Sequence, residues 1–239
     1  MDKRIKKMIL TSIFAAMSVV LYLFPKFSLP IFPSFLEMNF SMLPIVICGF
    51  SCGPVYGGIC VLLRYVSNLI IEGSITAGVG EIMDLMLGGL VVIASSLVYN
   101  YMKLKEPKKS IISLVVCLVV WVASGVLLNI VYAIPLYLKL YFGDNVNALV
   151  GALHIIPGVN ASNYLSKYVL YAVIPFNMIL ATGVLIITFF VNKAIYITIQ
   201  FHLYRILRIV SRERPYSSAS SIIVFPSRYL RRISAFLLT

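Results

Sequence analysis

Three ionisable side chains lie within long apolar stretches of the sequence. Arg64 falls near the middle of one stretch, and Glu81 and Asp84 begin another, three residues apart and hence on one face of a helix. Charged groups in apolar surroundings are costly unless they are paired or face a polar cavity. Two interpretations stay open. Either Arg64 pairs with Glu81 or Asp84 and joins two helices, or these groups, Arg64 and Glu81 among them, contact a polar ligand.

Two asparagines also lie inside apolar stretches, each near a proline that frees backbone carbonyls. Asn129 precedes Pro135, and Asn177 follows Pro175. A side-chain amide offers two donors and an acceptor, which suits the edge of a planar heterocycle. The alternative is a hydrogen bond that holds two helices together. Spacing alone does not separate the two interpretations.

Aromatic and polar side chains cluster in two predicted connections. They are Phe27, Phe32, Phe35, Glu37, Met38, Asn39 and Phe40 in the first, and His154, Asn160, Asn163 and Tyr164 in the second. Such aromatic rings either stack on a flat ligand or anchor the chain at the level of the lipid headgroups. We take Glu37, Met38, Asn39 and Phe40 as candidate ligand-binding residues.

Sequence motifs of catalysis are absent. The chain has no Walker A loop, no G-x-S-x-G and no H-E-x-x-H, and its four cysteines, Cys48, Cys52, Cys60 and Cys117, lack the spacing of a metal site. We therefore predict a non-enzymatic protein without a metal or cofactor. Without a nucleotide-binding loop, uphill transport would need an energised partner or an ion gradient.

Apolar residues dominate the composition. Of 239 residues, 61% are hydrophobic and 12% charged, with a mean hydropathy of +0.99, whereas soluble domains are about half apolar and about a quarter charged. Several apolar runs reach the roughly 20 residues that cross a ~30 Å hydrocarbon core as helix. The composition thus predicts an all-α integral membrane protein surrounded by lipid.

Six membrane helices are predicted, the second too short to span alone. They cover residues 8–24, 40–50, 54–71, 79–102, 110–138 and 167–199, with prolines and the Gly53-Pro54 break setting several ends. Residues 1–200 therefore form one membrane domain. Residues 201–239 form a basic tail, either amphipathic on the membrane surface or disordered.

The net charge of +12 is distributed in a way that argues against nucleic acid as a partner. Most Lys and Arg residues fall in three clusters, at residues 3–7, at 103–109 and from 193 onward. Under the positive-inside rule these clusters share the cytoplasmic side, which places both termini in the cytoplasm. The helix number must then be even.

Small residues recur at four-residue spacing on the first helix, as Thr11/Ala15 and Ser12/Ala16. Such surfaces let a second helix approach closely. We predict Ser12, Ala15 and Ala16 as a docking face for a partner, with packing inside the chain as the alternative.

Residues 35–44, FLEMNFSMLP, and 49–58, GFSCGPVYGG, resemble the substrate-binding S components of energy-coupling factor (ECF) transporters. Residues 129–135 and 174–177 extend the similarity more loosely, to about residue 200. Within this family the chain is most similar to the riboflavin-specific type. One departure is Leu180, where that type tends to have Lys.

The resemblance implies a six-helix fold with a vitamin held near the extracellular face, under the first and fifth connections. It implies ligand contacts from Glu37, Met38, Asn39, Asn129 and Asn177. It also implies that the first helix docks on a membrane coupling subunit, with two ATPases completing a transporter in the bacterial plasma membrane.

Our hypothesis is therefore a substrate-capturing subunit for riboflavin or a related flavin. One alternative is an S component for another vitamin. A second is an ion-coupled carrier that acts alone through Arg64, Glu81 and Asp84, and a third is a membrane scaffold whose basic tail recruits a partner.

Overall fold

The computed structural model describes residues 2–33, 35–74 and 76–212. Within these residues the chain forms a helical bundle with one short antiparallel hairpin. The helices are α1 (Lys3–Leu23), α2 (Met42–Cys52), α3 (Pro54–Ile71), α4 (Val79–Tyr101), α5 (Lys108–Leu128), α6 (Ile134–Phe142), α7 (Val146–Ala152), α8 (Tyr164–Tyr168) and α9 (Ile174–Arg212). The strands are β1 (Phe27–Ser28) and β2 (Glu37–Met38).

The chain divides into two units, Met1–Ile195 and Tyr196–Thr239. The first unit contains the bundle. The described part of the second, residues 196–212, is helical. The rest of the predicted basic tail, residues 213–239, lies outside the described residues.

Five helical stretches in the described chain are long and apolar enough to cross a membrane. They are Lys3–Leu23, Pro54–Ile71, Val79–Tyr101, Lys108–Phe142 and Tyr164–Ala194, and α2 adds a sixth, shorter apolar helix. Their outward surfaces are apolar, as the exposed Val55 and Ile70 illustrate. The predicted all-α membrane architecture with a short second helix is therefore confirmed.

The short helix α2 lies in the core of the first unit, in contact with α1, α3 and α4. Glycines allow this close approach. A Cβ at Gly49 would lie 2.7 Å from Val92 Cγ2, and one at Gly57 would lie 3.0 Å from the Gly49 Cα. The break before α3 suits its residues, because Gly53 takes a φ of 103° and Pro54 starts the next helix.

Two π-helical segments interrupt the long helices, Asn129–Ala133 before α6 and Val169–Val173 before α9. Each lies just before a proline at the start of the next helix, Pro135 or Pro175. The two segments contact each other. Such insertions of one extra residue into a helix are frequent at functional sites.

The hairpin lies in the connection that the sequence predicts as loop. Phe27 pairs with Met38, and Ser28 pairs with Glu37. The second predicted loop also contains structure, since α6 continues to Phe142 and α7 follows it. Strands of two residues are too short to show an alternating pattern, which explains why the sequence does not indicate them.

Candidate ligand-binding site

A cavity of about 170 Å³ lies between the hairpin connection and the helices α4, α5 and α9. Its lining is aromatic and apolar with a few amides and carboxylates, a composition typical of small-molecule sites. The lining residues are Phe35, Leu36, Glu37, Asn39, Met42, Gly80, Met83, Asp84, Leu87, Trp121, Asn129, Tyr137, Tyr168, Phe176, Asn177 and Leu180.

Asn129 lines this cavity from the first π-helical segment and is buried. Its Nδ2 donates to the Gly125 carbonyl at 2.8 Å, and its Oδ1 accepts from the Tyr168 hydroxyl at 3.0 Å. An amide has two N–H donors and an oxygen with two lone pairs. One donor and one lone pair of Asn129 therefore remain available to a ligand.

Asn177 lines the cavity from α9 and is held in a similar way. Its Nδ2 donates to the Val173 carbonyl at 2.8 Å, and Trp121 Nε1 donates to its Oδ1 at 3.2 Å. Gly125 of α5 makes room for it, because a Cβ there would lie 3.0 Å from Asn177 Cγ. We call Asn129 and Asn177 together the amide wall of the cavity.

An ion pair between α3 and α4, with a buried arginine and a partly exposed carboxylate, lies beside the cavity. Arg64, 1% exposed, places Nη2 2.5 Å from Asp84 Oδ2, and its Nη1 donates to Ser41 Oγ at 2.6 Å. Ser41 Oγ in turn donates to Asn39 Oδ1 at 2.7 Å. Arg64 Nε has no hydrogen-bond partner in the described part of the chain, and the contact with Asp84 is an ion pair without hydrogen-bond alignment. Arg64 thus lies outside the cavity lining and contacts two lining residues, Asp84 directly and Asn39 through Ser41.

A second ion pair joins the hairpin to the bundle. Lys26 Nζ lies 3.0 Å from Glu37 Oε2 and 3.5 Å from Glu72 Oε2. Burial lowers the pKa of Lys26, but the hydrogen bond and negative charge of Glu37 outweigh it and raise the pKa above its ordinary value. Of these groups Glu37 lines the cavity. We call Glu37 and Asp84 together the acid wall.

Aromatic rings close the space between the two walls. The ring of Phe35 lies 6.1 Å from that of Tyr137 and 6.0 Å from that of Tyr168. Phe32 contacts Phe176 edge to face at 5.5 Å. Rings at these separations attract one another, and they present faces on which a flat ligand can stack.

The predicted ligand-binding residues separate into two groups. The structure brings Glu37, Asn39, Asn129 and Asn177 to the cavity. It does not place Met38, Phe40, Arg64 or Glu81 in the lining. Met38 is buried on the other side of its strand, since neighbouring strand residues point in opposite directions.

The expected ion pair of Arg64 forms with Asp84 rather than Glu81. Glu81 instead accepts a hydrogen bond from the Thr76 hydroxyl. The two carboxylates occupy one helix face but have different partners, Thr76 for Glu81 and Arg64 for Asp84.

The predicted docking face on α1 also divides. Thr11, Ala15 and Ser18 are buried inside the bundle, whereas Ser12 and Ala16 are exposed. Ala15 is 6% exposed and packs in the core, so it does not offer a surface to a partner. Successive residues of a helix are about 100° apart, so the Thr11/Ala15 row and the Ser12/Ala16 row lie on adjacent faces of α1.

Sequence reasoning missed several lining residues, above all Trp121, Tyr137 and Tyr168. One signal was available. Trp121, Gly125 and Asn129 are spaced four apart and so share one helix face, which placed the chain's single Trp beside a candidate residue. Tyr137 and Tyr168 carry no comparable spacing signal.

A family model for the substrate-specific component of ECF transporters matches residues 6–192. The chain belongs to this family. S components work with a coupling subunit and ATPases and bind a vitamin substrate, so the family is one of transporter components and not of enzymes. The chain is a multi-pass protein of the bacterial cell membrane, as predicted.

Individual relatives agree with this assignment. Riboflavin transporter RibU of Lactococcus lactis subsp. cremoris (strain NZ9000) is 28% identical over 202 residues, which cover 80% of this chain and 96% of the relative. Riboflavin transporter RibU of Staphylococcus aureus (strain TCH60) is 27% identical and covers 73% of this chain and 82% of the relative.

A solved structure of the S component of a bacterial ECF transporter shares the fold. It superposes with a TM-score of 0.56 at 22% identity, over 81% of this chain and 97% of that chain. The resemblance seen in residues 35–58 is therefore confirmed at the level of family and fold.

Proposed function

We propose that this S component captures riboflavin or a closely related flavin at the end of the bundle that carries the hairpin. The observation that carries the proposal is the amide wall: two buried asparagines that keep unused hydrogen-bonding capacity in an aromatic cavity. The names of the relatives, both riboflavin transporters, support the choice of vitamin.

The chemistry of a flavin matches that wall. The pyrimidine edge of its ring system carries two carbonyl oxygens and one N–H. The free Nδ2–H of Asn129 or Asn177 donates to a carbonyl, and a free Oδ1 lone pair accepts from the N–H. Phe35 and Phe176 offer aromatic faces to the ring system.

The cavity must enlarge to accept such a ligand. Its volume of about 170 Å³ is below the roughly 300–1,000 Å³ of typical small-molecule sites. The hairpin connection supplies Phe35, Leu36 and Glu37 to the lining and is tied to the bundle by the ion pairs of Lys26. Outward movement of this connection is the route by which we expect the ligand to enter.

Titration of the purified protein with riboflavin in a calorimeter tests the proposal. We expect one riboflavin per chain, and a loss of about tenfold to 100-fold in affinity for Asn129→Leu and Asn177→Leu, because buried hydrogen-bonding groups lose their partners. Thr188→Val is the control, since Thr188 is a buried polar residue of α9 outside the cavity.

The outcomes distinguish the alternatives. If another vitamin binds and titration with riboflavin releases no heat, the proposed ligand is wrong, but the assignment to the S-component family stands. Unchanged riboflavin affinity in both asparagine variants would show that Asn129 and Asn177 do not take part in ligand recognition. Copurifying flavin absorbance in the detergent-solubilised protein would support the ligand class directly.

Delivery, in this proposal, occurs when the exposed Ser12/Ala16 row of α1 docks on the membrane coupling subunit of a complex with two ATPases. We expect Ala16→Leu to weaken copurification with that complex, because a larger side chain blocks close helix approach. Riboflavin affinity should not change. Ala123→Leu, at an exposed alanine of α5, is the matched control. Equal loss in both variants would contradict the docking role.

A further inference from the structure

The charged side chains that line the cavity are all negative. Glu37 and Asp84 border it, and the described lining contains no Lys, Arg or His. The counter-ions of these carboxylates are Lys26 and Arg64, which lie outside the lining. A ligand therefore meets carboxylate oxygens on this side of the cavity.

Burial supports the same orientation of both ion pairs. The Arg64 side chain is 1% exposed and its partner Asp84 is 35% exposed. Lys26 is 17% exposed and its partner Glu37 is 47% exposed. In each pair the carboxylate is the accessible member, and the cation is held behind it. In both ion pairs the carboxylate is thus the member that borders the cavity.

We propose that Glu37 and Asp84 are specificity-determining residues that select flavins with a neutral hydroxylated tail and reject phosphorylated ones. This inference rests on the proposed function. The remaining lining, including Leu180, supplies apolar groups and neutral hydrogen-bonding groups.

The tails of riboflavin and of its 5′-phosphate differ in charge and in hydrogen-bond donors, the two properties to which carboxylates respond. A ribityl tail carries hydroxyl groups, and a hydroxyl donates to a carboxylate that can only accept. A phosphate monoester carries a charge of about −1.5 to −2 at neutral pH, and its oxygens are acceptors. Placed against the acid wall, it lies nearer to the carboxylates than to their counter-ions Lys26 and Arg64, which are outside the lining, so the net interaction with the wall is repulsive.

Parallel titrations with riboflavin and riboflavin 5′-phosphate test the assignment. For the wild-type protein we expect the phosphorylated ligand to bind at least about tenfold more weakly, and the ratio of the two dissociation constants is the readout. Glu37→Gln should lower this ratio severalfold, mainly by strengthening binding of the phosphorylated ligand.

Glu72→Gln is the matched control. Glu72 also lies near Lys26, at 3.5 Å, but it does not line the cavity. Both variants remove one carboxylate from the same lysine, so they differ in whether the lost charge faces the ligand. We expect Glu72→Gln to leave the ratio unchanged.

A second variant keeps the test independent of the hairpin. Asp84→Asn on α4 removes the other negative charge of the acid wall but keeps a side-chain oxygen near Arg64, so it should also lower the ratio. Equal affinity of the wild type for both ligands would overturn the inference while the proposed function stands. Equal effects of Glu37→Gln and Glu72→Gln would also overturn it. Failure of both ligands to bind would instead remove the proposed function.

Discussion

The two walls of the cavity are held in place by different interactions. The amide wall is fixed by short-range contacts inside the bundle: each amide donates to a backbone carbonyl one turn earlier, and each amide oxygen accepts from a buried ring donor, the Trp121 indole or the Tyr168 hydroxyl. The acid wall is fixed between elements, by ion pairs from α3 to α4 and from the hairpin connection to both β2 and the end of α3. The first wall is therefore preorganised, whereas the second depends on how the hairpin and α3 are seated.

This difference suggests a division of labour. Buried amides suit recognition of the invariant ring system, since their hydrogen bonds already hold them in place. Partly exposed carboxylates, Glu37 on the hairpin connection and Asp84 on α4, suit discrimination between ligand tails. The following predictions test whether the walls are as unequal as the structure indicates, beginning with the largest expected effect.

Asp84→Leu should have the largest effect. Removing this carboxylate leaves the guanidinium of Arg64, which is 1% exposed, without its counter-ion, and an uncompensated buried charge costs about 3–5 kcal/mol of folding free energy. The measurement is unfolding of the detergent-solubilised protein. The double variant Arg64→Leu/Asp84→Leu is the control, and it should recover much of the loss because both charges are gone. A single variant as stable as wild type would show that the ion pair does not hold the acid wall.

Gly125→Ala should disturb the amide wall from the α5 side. The new Cβ would lie 3.0 Å from Asn177 Cγ, and overpacking of this kind costs about 1–3 kcal/mol. We expect both thermal stability and riboflavin affinity to fall. Gly183→Ala on α9, where a Cβ meets nothing within 4 Å, is the control and should be neutral. If both variants behave alike, Gly125 is not needed to seat Asn177.

Trp121→Phe should have a smaller effect on the same wall. It keeps an aromatic ring but removes the N–H that donates to Asn177 Oδ1 at 3.2 Å. A neutral hydrogen bond contributes about 0.5–1.5 kcal/mol, so calorimetry should show a severalfold weaker riboflavin affinity. Trp121→Leu, which removes the ring as well, should weaken binding further. Full affinity in Trp121→Phe would mean that Asn177 is oriented without the indole.

Lys26→Met should have the smallest effect on stability. Partly exposed ion pairs contribute about 0–1 kcal/mol and are screened by salt. We expect little change in unfolding temperature but faster riboflavin association in stopped-flow fluorescence, because the hairpin connection is less firmly held. The difference from wild type should shrink as ionic strength rises. A large loss of stability at every salt concentration would contradict this account of the acid wall.

Much of the fold could be predicted from the sequence, because length and hydropathy are enough to find membrane helices. The partner of Arg64 could not. Glu81 and Asp84 share one helix face, and the choice between them depends on the rotation of α4 and on Thr76. The division of α1 into a buried row at Ala15 and an exposed row at Ala16 has the same cause, since small residues fit either environment.

The candidate site was partly predictable for a similar reason. Asn129 and Asn177 stand out because amides are rare in apolar helices, and the structure places both at the cavity. The π-helical segments that carry or precede them leave no periodic signal, although Pro135 and Pro175 mark their positions. Tyr168 comes to Asn129 across 39 residues of chain, and local patterns contain no information about such contacts.

The burial of α2 has a consequence for how the chain enters the bilayer. With 11 residues and a rise of about 1.5 Å each, it spans roughly 16 Å, about half of a ~30 Å hydrocarbon core. Its surroundings in the finished protein are other helices, among them α1, α3 and α4. A segment of this length is a poor independent unit for the translocon, so its biogenesis is tied to that of its neighbours. A larger residue at Gly49 or Gly57 would obstruct the packing on which this joint insertion depends.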